Sequence, residues 1–160
     1  HAVDAVREWI VRFEARSDHA HPLMFGTMSW RHGGKVPGHR SHQSGRDLDI
    51  GLPLLARYAQ GAAVTPKRVD WDETWALISA MFETGEVTVV FLEYELQERL
   101  YEAAKRSGIE RSARRAYLQW PRGMHASGLV RHSRGHRKHV HIRFRCGPYE
   151  VDCADDSLGE

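Results

Sequence analysis

An α+β fold is what the pattern of this chain predicts, and three observations carry that expectation. Apolar residues recur at helical spacing in three separate stretches, around residues 3–15, 71–82 and 95–106. Short runs that alternate or are rich in β-branched residues lie between and after them. The two kinds of segment follow one another without the regular strand–helix alternation of a parallel α/β sheet. The expected architecture is a small central antiparallel sheet flanked by about three helices, in a single domain over residues 1–160.

Taken in order, Val3, Val6, Ile10 and Phe13 share one helical face, with Trp9 at its border, so residues 3–15 should form an amphipathic helix. A loop runs from Ser17 to Pro22. Leu23 to Ser29 is short and apolar, and is expected to be a strand. Trp30 to Gly38 holds three glycines and a proline, which makes it a loop. Asp47 to Ile50 alternates acid and aliphatic. As a strand it sends Asp47 and Asp49 to one face and Leu48 and Ile50 to the other. Residues 52–58 are ambiguous and residues 61–67 form a loop. Asp70 is placed to cap a helix carrying Trp71, Trp75, Ile78 and Phe82, which Gly85 ends. Val87 to Leu92 reads as a buried strand. Residues 95–106 make a third helix with Leu96, Leu100, Ala103 and Ala104 inward, stopped at Gly108. Arg111 to Tyr117 is a short basic helix, and Pro121 to Gly135 a loop. From His139 to Arg145 the chain alternates again. Val140, Ile142 and Phe144 should face the core, and His139, His141 and Arg143 the other way.

The bulk numbers set limits. An apolar fraction of 41% and a charged fraction of 28% describe a globular chain, not a disordered one. No apolar run is long enough to span a bilayer. A formal net charge of +2 is too small to argue for a nucleic-acid partner. The opening His1-Ala2-Val3-Asp4 carries no leader and no initiator Met, as expected of a trimmed chain. Cys146 and Cys153 lie seven positions apart across Gly147-Pro148. A disulfide closing this small loop is the expected state and implies an oxidising compartment, with two reduced thiols as the alternative.

Eleven histidines are the unusual feature of the composition. His42 stands seven positions before Asp49, with Gly45 between them to let the backbone turn. His139 and His141 form an H-x-H pair far downstream. Neither pattern is rare in so histidine-rich a chain, and His19-Ala20-His21 is an H-x-H pair in a loop. What sets His139, His141 and Asp49 apart is the strand pattern around them, which anchors one face in the core and presents these side chains on the other. His42, Asp49 and His141 are therefore read as three ligands of one zinc ion. Two imidazoles and one carboxylate leave the fourth position for water, as a catalytic zinc site requires. The HExxH pattern is absent, so another group must act as base. His139 lies on the right strand face for that role. It could instead be a ligand itself, or a solvated neighbour.

The run Ser41-His42-Gln43-Ser44-Gly45-Arg46-Asp47-Leu48-Asp49-Ile50, followed by His136-x-x-His139-x-His141, closely resembles the penicillin-insensitive murein endopeptidases. These belong to a wider group of zinc peptidases that includes lysostaphin-type and D-Ala-D-Ala-cleaving enzymes and the hedgehog fold. Met28-Ser29, Gly33-Gly34 through Gly38-His39, and Arg143-Phe144-Arg145-Cys146 extend the resemblance, which covers about residues 26–52 and 117–153. It implies a hedgehog-like or D-Ala-D-Ala-peptidase-like fold, with one Zn2+ held by His42, Asp49 and His141. His139 matches the catalytic residue beside the metal. His136 matches a second active-site histidine that stabilises the oxyanion or positions substrate. His39 matches a histidine three positions before the first ligand. Asp47 fits a carboxylate bonded to a ligand histidine, or else a surface acid paired with an arginine. The implied substrate is the peptide cross-link of peptidoglycan, cut between D-Ala and a diamino acid, in the periplasm or outside the cell. Free carboxylates on its peptide stems suit Arg131, Arg134 and Arg143, which could also be ordinary surface charge. Two rivals stand beside this reading: a carboxypeptidase or dipeptidase on the same scaffold, and a non-catalytic cell-wall-binding module. No nucleic-acid partner is expected.

Overall fold

A computed structural model describes residues 1–39, 41–150 and 153. Its elements run α1 (Ala2–Glu14), β1 (Asp47–Gly51), α2 (Trp71–Glu83), β2 (Val87–Phe91), α3 (Tyr94–Arg106), α4 (Arg111–Tyr117), β3 (Val130–Arg131) and β4 (His139–Phe144). The class is α+β, as the sequence predicts. The four strands form one sheet in the order β1-β4-β2-β3. The sheet is mixed, which corrects the expectation of an antiparallel one. β4 pairs antiparallel with both β1 and β2, but β2 and β3 are parallel. Parallel neighbours need a long crossover, and here α3 and α4 fill it.

Pairing follows side-chain chemistry. Leu48 and Ile50 stand opposite Ile142 and Val140, and Val90 stands opposite Ile142 from the other side. All five are buried and join Trp9, Phe13, Trp75, Ile78 and Leu100 of the first three helices in one apolar cluster. The same register puts Asp49 opposite His141, Asp47 opposite Arg143 and Phe91 opposite His141. Because strand side chains alternate, the helices cover one face and the polar residues collect on the other.

α2 is the central helix, packed between α1 and α3. Asp70 caps it as expected, its carboxylate accepting the Glu73 N–H at 3.1 Å. The helix buries Trp71, Trp75 and Ile78, but also Thr74, Leu77, Ala80 and Met81, because it has neighbours on two sides. Phe82 is only half-buried. α3 buries the four residues expected and adds Gln97. In α1 the inward stripe is Ala5, Trp9 and Phe13, while Val3 is 52% exposed. Trp9, expected at the border, lies at the centre, because an indole removes more apolar area from water than a valine does.

Two further expectations change. Leu23 to Ser29 is not a full strand. It runs beside β1 through one bridge, Phe25 to Ile50, with backbone bonds from Gly26 N–H to the Asp49 carbonyl and from Asp49 N–H to the Thr27 carbonyl. The region from Pro121 to Gly135, expected to be loop throughout, contains β3. Cys146 and Cys153 form the expected disulfide, with their Cα atoms 5.7 Å apart. No helix among the described residues is long and apolar enough to cross a membrane.

Ile142 is fully buried and meets aliphatic partners on both sides. Ile142→Ala is expected to cost about 2–5 kcal/mol of folding stability. Asp70→Ala removes only a helix cap and should cost about 1 kcal/mol. Urea denaturation of both variants checks this, and the reverse order would contradict the packing described.

Candidate metal centre

The site is assembled from two neighbouring strands on the sheet's polar face and the loop before the first of them. β1 supplies Asp47 and Asp49, β4 supplies His139, His141 and Arg143, and the segment before β1 supplies His39 and His42. Three atoms meet closely. His42 Nε2 is 3.0 Å from His141 Nδ1 and 3.3 Å from Asp49 Oδ1, and His141 Nδ1 is 3.1 Å from the same Oδ1.

The remaining nitrogen of each ring is committed elsewhere. His42 Nδ1 lies 2.8 Å from the Met28 carbonyl, an oxygen that only accepts. His141 Nε2 lies 2.9 Å from Asp47 Oδ1. These bonds place the ring protons on His42 Nδ1 and His141 Nε2, so the facing nitrogens carry lone pairs in the neutral rings. Asp49 Oδ1 is buried and has no hydrogen-bond partner among the described residues. Three electron-rich atoms in mutual contact, fixed by their outer bonds, fit a cation at their centre. His39 extends the set, because one donor atom each from His39, His42 and Asp49 also lies within 4.8 Å of the others. It approaches the second carboxylate oxygen, at 3.9 Å between Nδ1 and Oδ2.

Local backbone holds His42 in place. Its φ is +60°, and it is the one non-glycine residue with positive φ among those described. Such a conformation persists only when its surroundings fix it. Here the ring is fully buried, and its own N–H donates to Asp47 Oδ2 at 3.1 Å. The preceding loop is tied by Gly34 N–H to the Gln43 carbonyl at 2.9 Å. Gly33 sits at φ +71°, and a Cβ there would stand 2.7 Å from that carbonyl, so no side chain fits.

Asp47 is the hub. Its Oδ1 accepts from His141 Nε2 and from Arg143 Nε at 2.8 Å, while Oδ2 accepts from the His42 backbone. Burial pushes its carboxyl up, but the bonds from His141 and Arg143 outweigh this and hold it far below the usual range. Asp49 is also lowered, because its histidine neighbours outweigh its burial. Burial works against a charged His141, yet the bonds and charges of Asp47 and Asp49 leave its pKa raised. Burial lowers His42.

The other expected residues also gather here. His139 Nε2 stands 3.9 Å from Asp49 Oδ1, beyond hydrogen-bond reach, with its ring partly exposed. His136 lies beside it, ring centroids 4.9 Å apart, and 5.7 Å from the ring of His141. Burial, then the charges of His139 and His141, pull the His136 pKa down to about 4. Burial also lowers His139. Arg143, expected toward substrate or behind a ligand, bonds to Asp47 at 2.8 Å. The other H-x-H pair is spent on its own loop, with His19 Nδ1 on the His21 carbonyl at 2.7 Å.

Three contributors escape the sequence reading. The Met28 carbonyl orients His42, and no side-chain pattern announces a backbone acceptor. Phe91 packs its ring 5.5 Å from that of His141 and 6.2 Å from that of His136. Its place in an apolar strand gave the only hint. Glu93 is buried, accepts the Gly135 N–H at 2.9 Å and pairs with Arg137, holding the turn that presents His136.

A family model described as penicillin-insensitive murein endopeptidase matches residues 5–159. Proteins named penicillin-insensitive murein endopeptidase are similar to this chain. That of Yersinia enterocolitica is 28% identical over 158 residues, covering 89% of this chain and 52% of its own. That of Citrobacter koseri is 28% identical over 152 residues, covering 85% and 50%. That of Salmonella arizonae is 29% identical over 152 residues, again covering 85% and 50%. The chain thus spans about half the length of the curated relatives it matches.

The depressed Asp47 carboxyl has a consequence for acid stability. A carboxylate whose folded pKa lies below its unfolded value of about 3.9 stabilises the fold fully above that value, and the contribution fades as pH falls through it. Wild-type stability should decline from about pH 5 downward, with a shallower decline in Asp47→Asn. Urea titrations across that window measure both slopes, and equal slopes would contradict the assignment.

Proposed function

Since the chain belongs to the penicillin-insensitive murein endopeptidase family, we propose that it is a zinc-dependent peptidoglycan hydrolase. Its proposed substrate is the peptide cross-link of murein, cut at the bond between D-Ala and a diamino acid. The observation that carries this reading is the contact of His42 Nε2, His141 Nδ1 and Asp49 Oδ1 at 3.0–3.3 Å. Ligand atoms about 2.0–2.1 Å from a tetrahedral zinc stand about 3.3 Å from one another. We assign His42, Asp49 and His141 as the ligands. His39 is placed at the rim, because its Nδ1 stands 3.9 Å from the second oxygen of Asp49, farther than the 3.0–3.3 Å that separates the other three atoms. Neutral imidazoles and a carboxylate are the donor types that zinc prefers.

Zinc held by these residues would supply Lewis acidity, lowering the pKa of a water and polarising a carbonyl. The remaining chemistry falls to the chain's own side chains. Asp47 keeps His141 in the tautomer whose Nδ1 is a ligand, and the Met28 carbonyl does the same for His42 Nε2. His139 is near the centre without being bonded into it, and we assign it to take the proton from the attacking water and pass it to the leaving amine. His136 has its Nδ1 3.2 Å from the Ser133 carbonyl, which places the ring proton there and leaves Nε2 as an acceptor. A neutral ring with its outward nitrogen free to accept favours positioning a substrate N–H, the second of the two roles the family resemblance implies, over donating to an oxyanion. The Cys146–Cys153 disulfide suits an oxidising location, and we place the protein in the periplasm or outside the cell.

Metal analysis of the purified protein should find one zinc per chain, lost in His42→Ala and His141→Ala. His139→Ala should keep the zinc while its cleavage of cross-linked muropeptides falls by about 10²–10⁴-fold. Retention of zinc by His141→Ala together with its loss from His139→Ala would reverse the assignment. Asp47→Asn should bind zinc about 10–100-fold more weakly in competition with a chelator. Mass spectrometry of the digest identifies the bond. Monomers released from dimers mark an endopeptidase, whereas loss of terminal D-Ala alone would favour a carboxypeptidase.

A further inference from the structure

Beyond the cluster, on the far side of Phe91, lies a cavity of about 370 Å³, lined by Phe91, Gln119, His125, Ser127, Arg131 and His132 among others. Among the described residues, no carboxylate lines it. We infer that this cavity is a subsite for a free carboxylate of the substrate, read chiefly by Arg131 and His132. The inference rests on the hydrolase reading for what the substrate is, and on the cavity itself for the chemistry.

Its position follows from the sheet. Phe91 pairs with His141 on one side and with Arg131 on the other, so the three residues form a row across β4, β2 and β3. Neighbouring strands are about 4.8 Å apart, which puts the backbone of Arg131 roughly 10 Å from that of His141. An extended peptide covers about 3.3–3.6 Å per residue, so the row spans roughly three residues of a bound substrate. A substrate with its scissile carbonyl at His141 would bring a neighbouring carboxylate to Arg131. Phe91 forms the wall between the two places, one ring serving both.

The cavity is built rather than incidental. Gln119 forms its buried floor and uses both ends of its amide. Nε2 donates to the carbonyls of Met124 and Ala126 at 2.7 and 2.8 Å, and Oε1 accepts the His132 N–H. The Gln119 N–H donates in turn to Gln97 Oε1 at 3.0 Å. The loop carrying His125 and Ser127 is thereby wrapped around a fixed buried amide. Arg131 Nε donates to the Gly128 carbonyl at 3.0 Å, which pins the guanidinium at its elbow. The paired Nη groups of a guanidinium are the fork that meets a carboxylate edge-on. His132 Nδ1 accepts the Tyr94 N–H at 3.1 Å, so the ring proton sits on Nε2 as a donor. With the Ser127 hydroxyl, the lining offers donors of three kinds and no acid to compete for them.

The test uses two cross-linked muropeptide dimers, one with its peptide carboxylates free and one with them amidated. With the wild-type protein, amidation should raise KM about 10–100-fold, as loss of a charge-assisted bond does, and change kcat by about twofold at most. Arg131→Gln should abolish the discrimination, bringing the two KM values within about twofold of each other. Equal KM values for the wild type, or an undiminished ratio in Arg131→Gln, would overturn the subsite. Should that variant not fold, the wild-type comparison decides alone. Should the wild type cleave neither dimer, the hydrolase reading fails on its own account. The subsite is then judged by titrating each dimer against the Arg131 Nε resonance in a nitrogen-15 spectrum. A shift with the free acid alone supports it, and the same response to both dimers, or none to either, overturns it.

Discussion

The site depends on one register, the antiparallel pairing of β1 with β4 that sets Asp49 opposite His141. A slip of one residue would turn every side chain of a strand to the other face. Leu48 and Ile50 would then leave the apolar cluster, and Asp47 and Asp49 would enter it. The register is therefore enforced from the helix side, by the burial of Leu48, Ile50, Val140 and Ile142 between the sheet and α1–α3. The polar face that carries the candidate site is positioned by the apolar face behind it.

Asp47 extends that control from the sheet to the loop. One oxygen holds His141 and Arg143, and the other holds the backbone of His42 in a left-handed conformation. A buried carboxylate is costly unless its lone pairs are met, and here three donors meet them. The result is a set of outward bonds that fixes both imidazoles while leaving their inner nitrogens facing Asp49 Oδ1. Such a cluster attracts positive charge by construction. Protons and a divalent cation would compete for it, which would couple any metal affinity to pH.

Much of this was legible in the residues, and the reasons are particular. The alternation in Asp47–Ile50 and His139–Phe144 fixed which side chains share a face, and the structure brings those faces together. Helices α2 and α3 announced themselves through Asp70, Gly85 and Gly108 and through apolar spacing. What escaped was decided by tertiary context. The inward stripe of α1 was set by the bulk of Trp9, and spacing alone favoured the valines. The segment from Leu23 to Ser29 looked like a strand but makes only one bridge to β1. Two-residue β3 is too short to show a period, so the parallel pair and the cavity beside Arg131 were invisible. Gln97 and Gln119 are buried together, and nothing in the apolar spacing marks a glutamine as inward. The convergence of His39, His42, Asp49, His136, His139 and His141 required folding two segments about a hundred positions apart onto one sheet, an arrangement that spacing within either segment does not encode.

The central claim is that His42, Asp49 and His141 hold one zinc ion between them. A zinc-edge anomalous difference map from crystals grown with one equivalent of zinc tests it most directly. The account predicts a single strong peak about 2.0–2.2 Å from His42 Nε2, His141 Nδ1 and a carboxylate oxygen of Asp49. A peak bound by His39 in place of His141, a peak elsewhere on the chain, or no ordered peak at full zinc occupancy of the solution would contradict it.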